Sequence, residues 1–177
     1  MSTSSGTLSG AELWYGDDDG SAVMLRYQSG TLRGAPTALS SGKVAYLDSR
    51  VMLGNHAFAL VGGYTMRTMR YEGTDRRFHL PRAGLRAGYR FAGSGVTLRA
   101  AGSYVRTTAK AKADSVEADG LDGETAVLYI PPRLPLYVEL GYRRELFNLR
   151  REGEVFRREE MGGVLLSVGL QYGLSTR

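Results

Sequence analysis

Gly162-Gly163-Val164-Leu165-Leu166-Ser167-Val168-Gly169-Leu170-Gln171-Tyr172-Gly173-Leu174 is a run with two unlike faces. Val164, Leu166, Val168, Leu170, Tyr172 and Leu174 share one parity. Gly163, Ser167, Gly169, Gln171 and Gly173 share the other, with Leu165 the single exception. Side chains of a strand alternate with period two, so this spacing predicts one apolar face and one small or polar face. The apolar face calls for a dry surround, the other for a crowded or wet interior.

The same alternation recurs upstream. Leu136, Val138, Leu140 and Tyr142 oppose Tyr137, Glu139, Gly141, Arg143 and Glu145; Leu98, Ala100 and Tyr104 oppose Arg99 and Ser103. Leu85, Ala87 and Tyr89 oppose Arg82, Arg86 and Arg90; Phe58, Leu60 and Tyr64 oppose Val61, Thr65 and Arg67. Leu47 and Val51 oppose Tyr46, Asp48 and Arg50, and Val23, Leu25 and Tyr27 oppose Met24, Arg26 and Gln28. Thr125 to Ile130 is a shorter strand whose inward face the pattern does not assign. These make eight strands from about residue 21 to 174. Leu8 to Tyr15 is a further candidate, joining the first strand through a bulge, standing separately, or plugging one end. The expected count is eight, with ten as the alternative.

Connections alternate between short (Gly54 to His56, Ala92 to Gly95, Pro131 to Pro135) and long and polar (Ser29 to Gly42, Glu72 to Arg77, Thr107 to Gly123, Asn148 to Glu160). Aromatic residues sit near strand ends: Tyr89, Phe91 and Tyr172 towards the short turns, Tyr71, Tyr104 and Phe147 towards the long connections. A single barrel domain is expected over 7–174, with 1–6 a flexible N-terminus and 175–177 a tail.

At 177 residues with 24 Gly, 11 Tyr and no Cys, the chain is one domain without disulfides or thiolate metal sites. No apolar run reaches the roughly 20 residues of a membrane helix. The net charge of +5 admits anionic partners without choosing one. Its arginines are scattered over strands rather than gathered on a stripe, which argues against nucleic acid.

The C-terminal run resembles the assembly signal of bacterial outer-membrane β-barrels, which Ser167, Gly169, Tyr172 and Leu174 fill. With the strand pattern, the chain resembles small barrels of the OmpA/OmpX type. That resemblance implies an all-β, antiparallel up-and-down transmembrane β-barrel in the bacterial outer membrane, with short periplasmic turns and longer external loops. It also implies outer-membrane lipid, lipopolysaccharide and the barrel-assembly machinery as partners, with a further envelope protein as another. Met1 to Gly6 carries neither a basic start nor an apolar stretch. An exported barrel is therefore expected here in mature form with an added Met1.

The inward face carries an arginine set: Arg26, Arg50, Arg67, Arg82, Arg86, Arg90, Arg99 and Arg143. Asp48, Glu139 and Glu145 face the same way, with Glu12 a further candidate. Isolated buried charges are destabilising by several kcal/mol or more. The expected arrangement is therefore a paired polar network in the lumen, with a narrow anion-preferring pore as the alternative. Arg76, Arg77, Arg150, Arg151, Arg157 and Arg158 stand in the long connections as candidate contacts to lipopolysaccharide phosphates, since guanidiniums bind phosphate bidentately.

No enzyme chemistry is expected. His56 and His79 fall at opposite ends, and neither has the Ser two positions on that acyl transfer on a strand would need. Asp17-Asp18-Asp19-Gly20 lacks calcium-loop spacing and reads as a turn. Neither cofactor nor metal is expected. The expected role is non-enzymatic, exercised through external loops and envelope contacts. A soluble lipocalin-like barrel that carries a small apolar ligand fits the same periodicity with its faces inverted.

Overall fold

The computed structural model describes residues 2–16, 21–34, 42–71, 74–107, 117–131 and 134–172. Among them run nine strands: β1 (Ser2–Gly16), β2 (Ser21–Gly34), β3 (Gly42–Gly54), β4 (Phe58–Tyr71), β5 (Thr74–Arg90), β6 (Val96–Arg106), β7 (Glu117–Tyr129), β8 (Leu136–Arg151) and β9 (Glu154–Tyr172). They close into one barrel in chain order. Each strand pairs antiparallel with the next, and β1 meets β9 in parallel.

The expected counts of eight and ten are both corrected to nine. Leu8 to Tyr15 neither merges with β2 nor plugs the lumen. It belongs to a full strand paired with β2 from Ser4↔Gly34 to Gly16↔Ala22, and with β9 from Ser2↔Glu159 to Tyr15↔Tyr172. With an odd count in an up-and-down order, first and last strands point the same way. The closing seam must therefore be parallel, and the barrel is mixed rather than wholly antiparallel. β1 also takes in Ser2–Gly6, the stretch expected to be flexible.

The strands are longer than the sequence suggests. β2 runs on to Gly34, β5 begins at Thr74 and β7 at Glu117, so much of the expected long connections is paired sheet. Asn148 to Glu160 is no loop at all. β8 and β9 meet in a two-residue turn with Glu152 at φ 52° and Gly153 at φ 85°, the doubly left-handed geometry of a tight hairpin. At the opposite end, the Asn55 side-chain carbonyl accepts from the backbone N–H of Ala57 and Phe58, each at 2.9 Å. Glycines at positive φ (Gly93, 71°; Gly95, 69°) turn the β5–β6 connection.

Two levels of the barrel differ in polarity. From the Asn55 end through roughly two-thirds of the height, the outward side chains are apolar and exposed: Val23 and Leu25 on β2, Leu60 on β4, Leu98 on β6, Leu140 on β8 and Val168 on β9 are examples. Tyr15, Phe58, Tyr89, Phe91 and Tyr129 ring that end, with Tyr89 and Phe91 packed edge to face at 5.0 Å. Towards the Gly153 end the outward residues turn polar. Ser5, Thr7, Arg33, Lys43, Arg77 and Arg106 are all exposed there. The inside changes in step. Leu8, Leu32, Val44, Phe78, Phe147 and Leu149 belong to a buried apolar cluster filling that end.

Phe147, one of the aromatics near the long connections, points into the lumen rather than outward. The parity that sends Leu146 outward sends Phe147 inward, at the level where the interior is apolar. Tyr104 is exposed, while the side chain of Tyr71 lies outside the described residues.

Candidate functional site: a charged layer inside the barrel

Between the apolar cluster and the Asn55 end lies a layer of buried charge. Arg26, Arg50, Arg67, Arg82, Arg99 and Arg143 are buried there, and so are Glu12, Asp48, Asp122, Glu124, Glu139 and Glu145. Six guanidiniums meet six carboxylates. Every strand from β1 to β8 contributes through its inward parity, so residues far apart in the chain converge across the lumen.

Glu12 lies at one focus. Its carboxylate accepts from the Arg26 Nε, the Tyr137 hydroxyl and the Trp14 indole N–H, and from Arg99 at 3.3 Å. Arg26 reaches on to Glu124 at 2.5 Å, and Arg99 to Glu139. Arg143 is the second focus. It donates to Gln28 (3.0 Å), Asp48 (3.3 Å), Asp122 (2.8 Å) and Glu145 (3.2 Å), with its guanidinium over the Tyr46 ring at 4.2 Å. Thr65 donates to Asp48 at 2.6 Å, Arg50 to the same carboxylate at 3.0 Å, and Arg82 to Asp122. Tyr46 donates to Glu145 at 2.7 Å. Arg67 reaches Glu145 at 3.2 Å and lies over the Phe147 ring at 4.2 Å, where the charged layer meets the apolar one.

Each ion thus has a partner of opposite sign, which offsets the desolvation of charge held away from water. A second apolar layer closes the Asn55 end: Met24, Met52, Ala59 and Val61 pack with Trp14, and Ala126 and Leu128 with Tyr137. A cavity of about 10 Å³ lies between Trp14, Arg50, Arg99 and Glu124. It has room for about one water. Such filling accords with the interior of barrels of about eight strands.

Of the eleven residues expected in the lumen network, Arg86 and Arg90 lie outside the buried layer. Arg86 is half-buried near the Asn55 end, over the Trp14 ring at 5.1 Å and donating to the Asn55 carbonyl at 3.2 Å. Arg90, at the end of β5, is exposed. Two members were missed, Asp122 and Glu124. Asp119-Gly120-Leu121-Asp122-Gly123-Glu124 reads as turn chemistry because of its Asp-Gly pairs. Carrying the parity of Val127 back through Thr125, Gly123 and Leu121 places both carboxylates inside, and β7 follows that parity.

The basic pairs lie towards the Gly153 end, on strands rather than in loops. Arg77 and Arg158 are exposed. Arg150 binds Asp119 at 2.6 Å, which raises its guanidinium pKa above the usual value. Arg151 stacks on Phe156 at 5.1 Å, and Arg157 pairs with Glu159 at 3.0 Å. The side chain of Arg76 lies outside the described residues.

In the C-terminal run, Ser167 is buried and Gly169 faces the lumen under the Tyr137 ring. Any side chain at 169 would take the place of that ring, which is why this strand position demands glycine. Tyr172 ends β9 with its side chain outside the described residues, as is Leu174 altogether. Asp17 to Gly20 is also outside them. His56 is exposed in the β3–β4 turn; His79, outward on β5, shares a hydrogen bond with the Tyr64 hydroxyl.

No family model, curated protein or solved structure matches the chain. The functional reading therefore rests on the residues themselves.

Proposed function

We propose that this chain is a non-enzymatic integral outer-membrane β-barrel. Its apolar belt sits in hydrocarbon, and its polar Gly153 end projects outward to contact lipopolysaccharide and the envelope. The observation that carries this reading is the polarity of the belt: exposed Leu, Val and Tyr outside, six arginines and six acids inside. From Ala45 to Leu53 on β3, or Leu136 to Leu146 on β8, the belt is roughly 20–25 Å tall for strands tilted as in membrane barrels. That matches the apolar band such barrels present to lipid. Short turns at the Asn55 end suit the periplasmic side.

A lipocalin-like carrier would need the opposite arrangement, an apolar cavity within and charge without. A buried layer of balanced charge weighs against that carrier. It weighs equally against an anion-preferring pore, because the six carboxylates leave no net positive ring, and apolar layers lie on both sides. In this reading the ion pairs fix the barrel's shape, and its far-end arginines meet phosphate. Barrel-assembly machinery is the partner such a fold requires for insertion.

A membrane-restricted photolabel tests the placement. Labelling should reach Leu98, Val127 and Leu140 and spare Thr31 and Arg77. A chain that stays monomeric in detergent-free buffer, its belt unlabelled by lipid probes, would remove the membrane reading. The partner is tested separately. Replacing Arg150, Arg151, Arg157 and Arg158 by Gln should weaken lipopolysaccharide binding and flatten its salt dependence. Unchanged affinity would discard the phosphate contact.

A further inference from the structure

The two halves of β1 are held differently. From Ala11 downwards the strand is committed on both faces. Glu12 accepts from Arg26, Arg99, Tyr137 and Trp14, and Leu13 and Tyr15 stand in the outer belt. Above it, Ser4-Ser5-Gly6-Thr7-Leu8-Ser9-Gly10 carries a single apolar side chain, Leu8. Ser5, Thr7 and Ser9 are outward and exposed, where the facing residues of β9 are Gly162, Val164 and Leu166. Gly6 and Gly10 leave the inner face bare on either side of Leu8.

Leu8 acts as a bolt. It stands opposite Gly30 on β2 and beside Gly163 on β9. A Cβ at Gly30 would lie 3.1 Å from Leu8 Cδ2, and one at Gly163 would lie 3.6 Å from Leu8 Cγ. The isobutyl group thus occupies the space that both glycines leave open. Beyond it lies the apolar cluster that includes Leu32, Phe147 and Leu165, and Leu8 is the one residue of Ser4–Gly10 that belongs to it.

What otherwise holds this half-strand is main chain. Ser4 to Gly10 pairs antiparallel with Gly34 to Gln28 and parallel with Met161 to Ser167. Parallel ladders are slightly less stable per residue than antiparallel ones, and Gly is depleted in strands. A segment with few buried apolar contacts opens at a lower free energy than the whole fold.

We propose that Ser4–Gly10 is a displaceable strap. It leaves the wall as a unit, hinged above Glu12, while the lower half of β1 and the other eight strands keep their places. Its release opens a slot between β2 and β9 and uncovers Leu32 and Leu165 at the apolar end of the lumen. Nothing that holds the strap depends on what surrounds the wall, so its release is independent of the membrane placement.

Residue-resolved amide exchange of the full chain, followed by NMR in micelles, tests the strap. Amides of Ser4–Gly10 should exchange at least about tenfold faster than those of Ala11–Tyr15. Between Met161 and Ser167, the β9 amides that bond to β1 should exchange with the strap, and the alternate amides that bond to β8 should stay slow. Leu8→Ala should speed strap exchange about tenfold more and leave Ala11–Tyr15 unchanged. Ser9→Cys combined with Ser29→Cys joins facing residues of β1 and β2. That pair should slow strap exchange when oxidised and restore it when reduced, whether or not the alanine variant folds. Equal exchange along the whole of β1 overturns the proposal. So does fast exchange that spreads to the β8-bonded amides of β9, which would mean that the entire Gly153 end frays. Strap exchange that is the same with the disulfide closed and open overturns it as well.

Discussion

At the level of Leu98 the barrel is apolar outside and charged inside; at the level of Leu149 it is polar outside and apolar inside. The same nine strands, with the same alternation, build both levels. What differs is which parity carries the apolar residues, and the change falls within single strands. On β8, outward Leu136, Val138 and Leu140 give way to Asn148 and Arg150, while inward Glu139 and Arg143 give way to Phe147 and Leu149. Side chains are sorted against their surroundings, so on the proposed membrane placement an inversion along one strand marks a change of solvent. The lower level is stabilised by pairing charge away from water, the upper by removing apolar surface from it.

The largest effect should come from unpairing the lower interior. Glu12→Ala leaves Arg26 and Arg99 without the carboxylate at their centre, and breaking a buried pair this way costs about 3–5 kcal/mol. Urea unfolding in vesicles measures it; a loss below about 1 kcal/mol would mean that water already solvates the layer. In the upper level, Leu149→Ala should cost about 2–5 kcal/mol by opening a cavity in the apolar cluster. That loss should be alike in vesicles and micelles, because Leu149 faces its own core rather than lipid. If the belt is lipid-facing as proposed, Leu98→Arg should cost about 2–4 kcal/mol in a bilayer. Thr31→Arg, outward on β2 but at the upper level, should stay within about 0.5 kcal/mol. Equal effects of the two arginine substitutions would erase the distinction between the levels.

Much of the lower level was legible in the sequence, since period two with Leu and Val on one parity and Arg on the other leaves little choice of face. Arg26, Arg50, Arg67, Arg82, Arg99 and Arg143 follow from it directly. The upper level was hidden by composition. Ser and Thr on the outward parity of β1 and β2, and Asp-Gly pairs in β7, read as loop, although their inward neighbours Leu8, Leu32 and Ala118 are core. Local turn propensity was outweighed there by cross-strand pairing, a tertiary effect that a single strand does not display. The count failed for a related reason. Whether Leu8 to Tyr15 adds a strand depends on its two edges finding partners, and one of them is β9, at the far end of the chain.

The smallest effects should lie where the upper level ends, at the β8–β9 turn. Gly153 has φ 85°, a conformation in which a Cβ is strained, while the space around it is open. Gly153→Ala should therefore cost about 1 kcal/mol through the backbone alone. Glu152, at φ 52°, already bears that strain. Asn tolerates the left-handed region better than Glu, so Glu152→Asn should change stability in the opposite direction by a few tenths of a kcal/mol. Both shifts should be the same in vesicles and in micelles, because the turn lies at the end of the barrel whose outer surface is polar. A vesicle-specific change at either position would carry the apolar surround up to the tip of β8 and β9, and the boundary drawn at Asn148 would have to move with it.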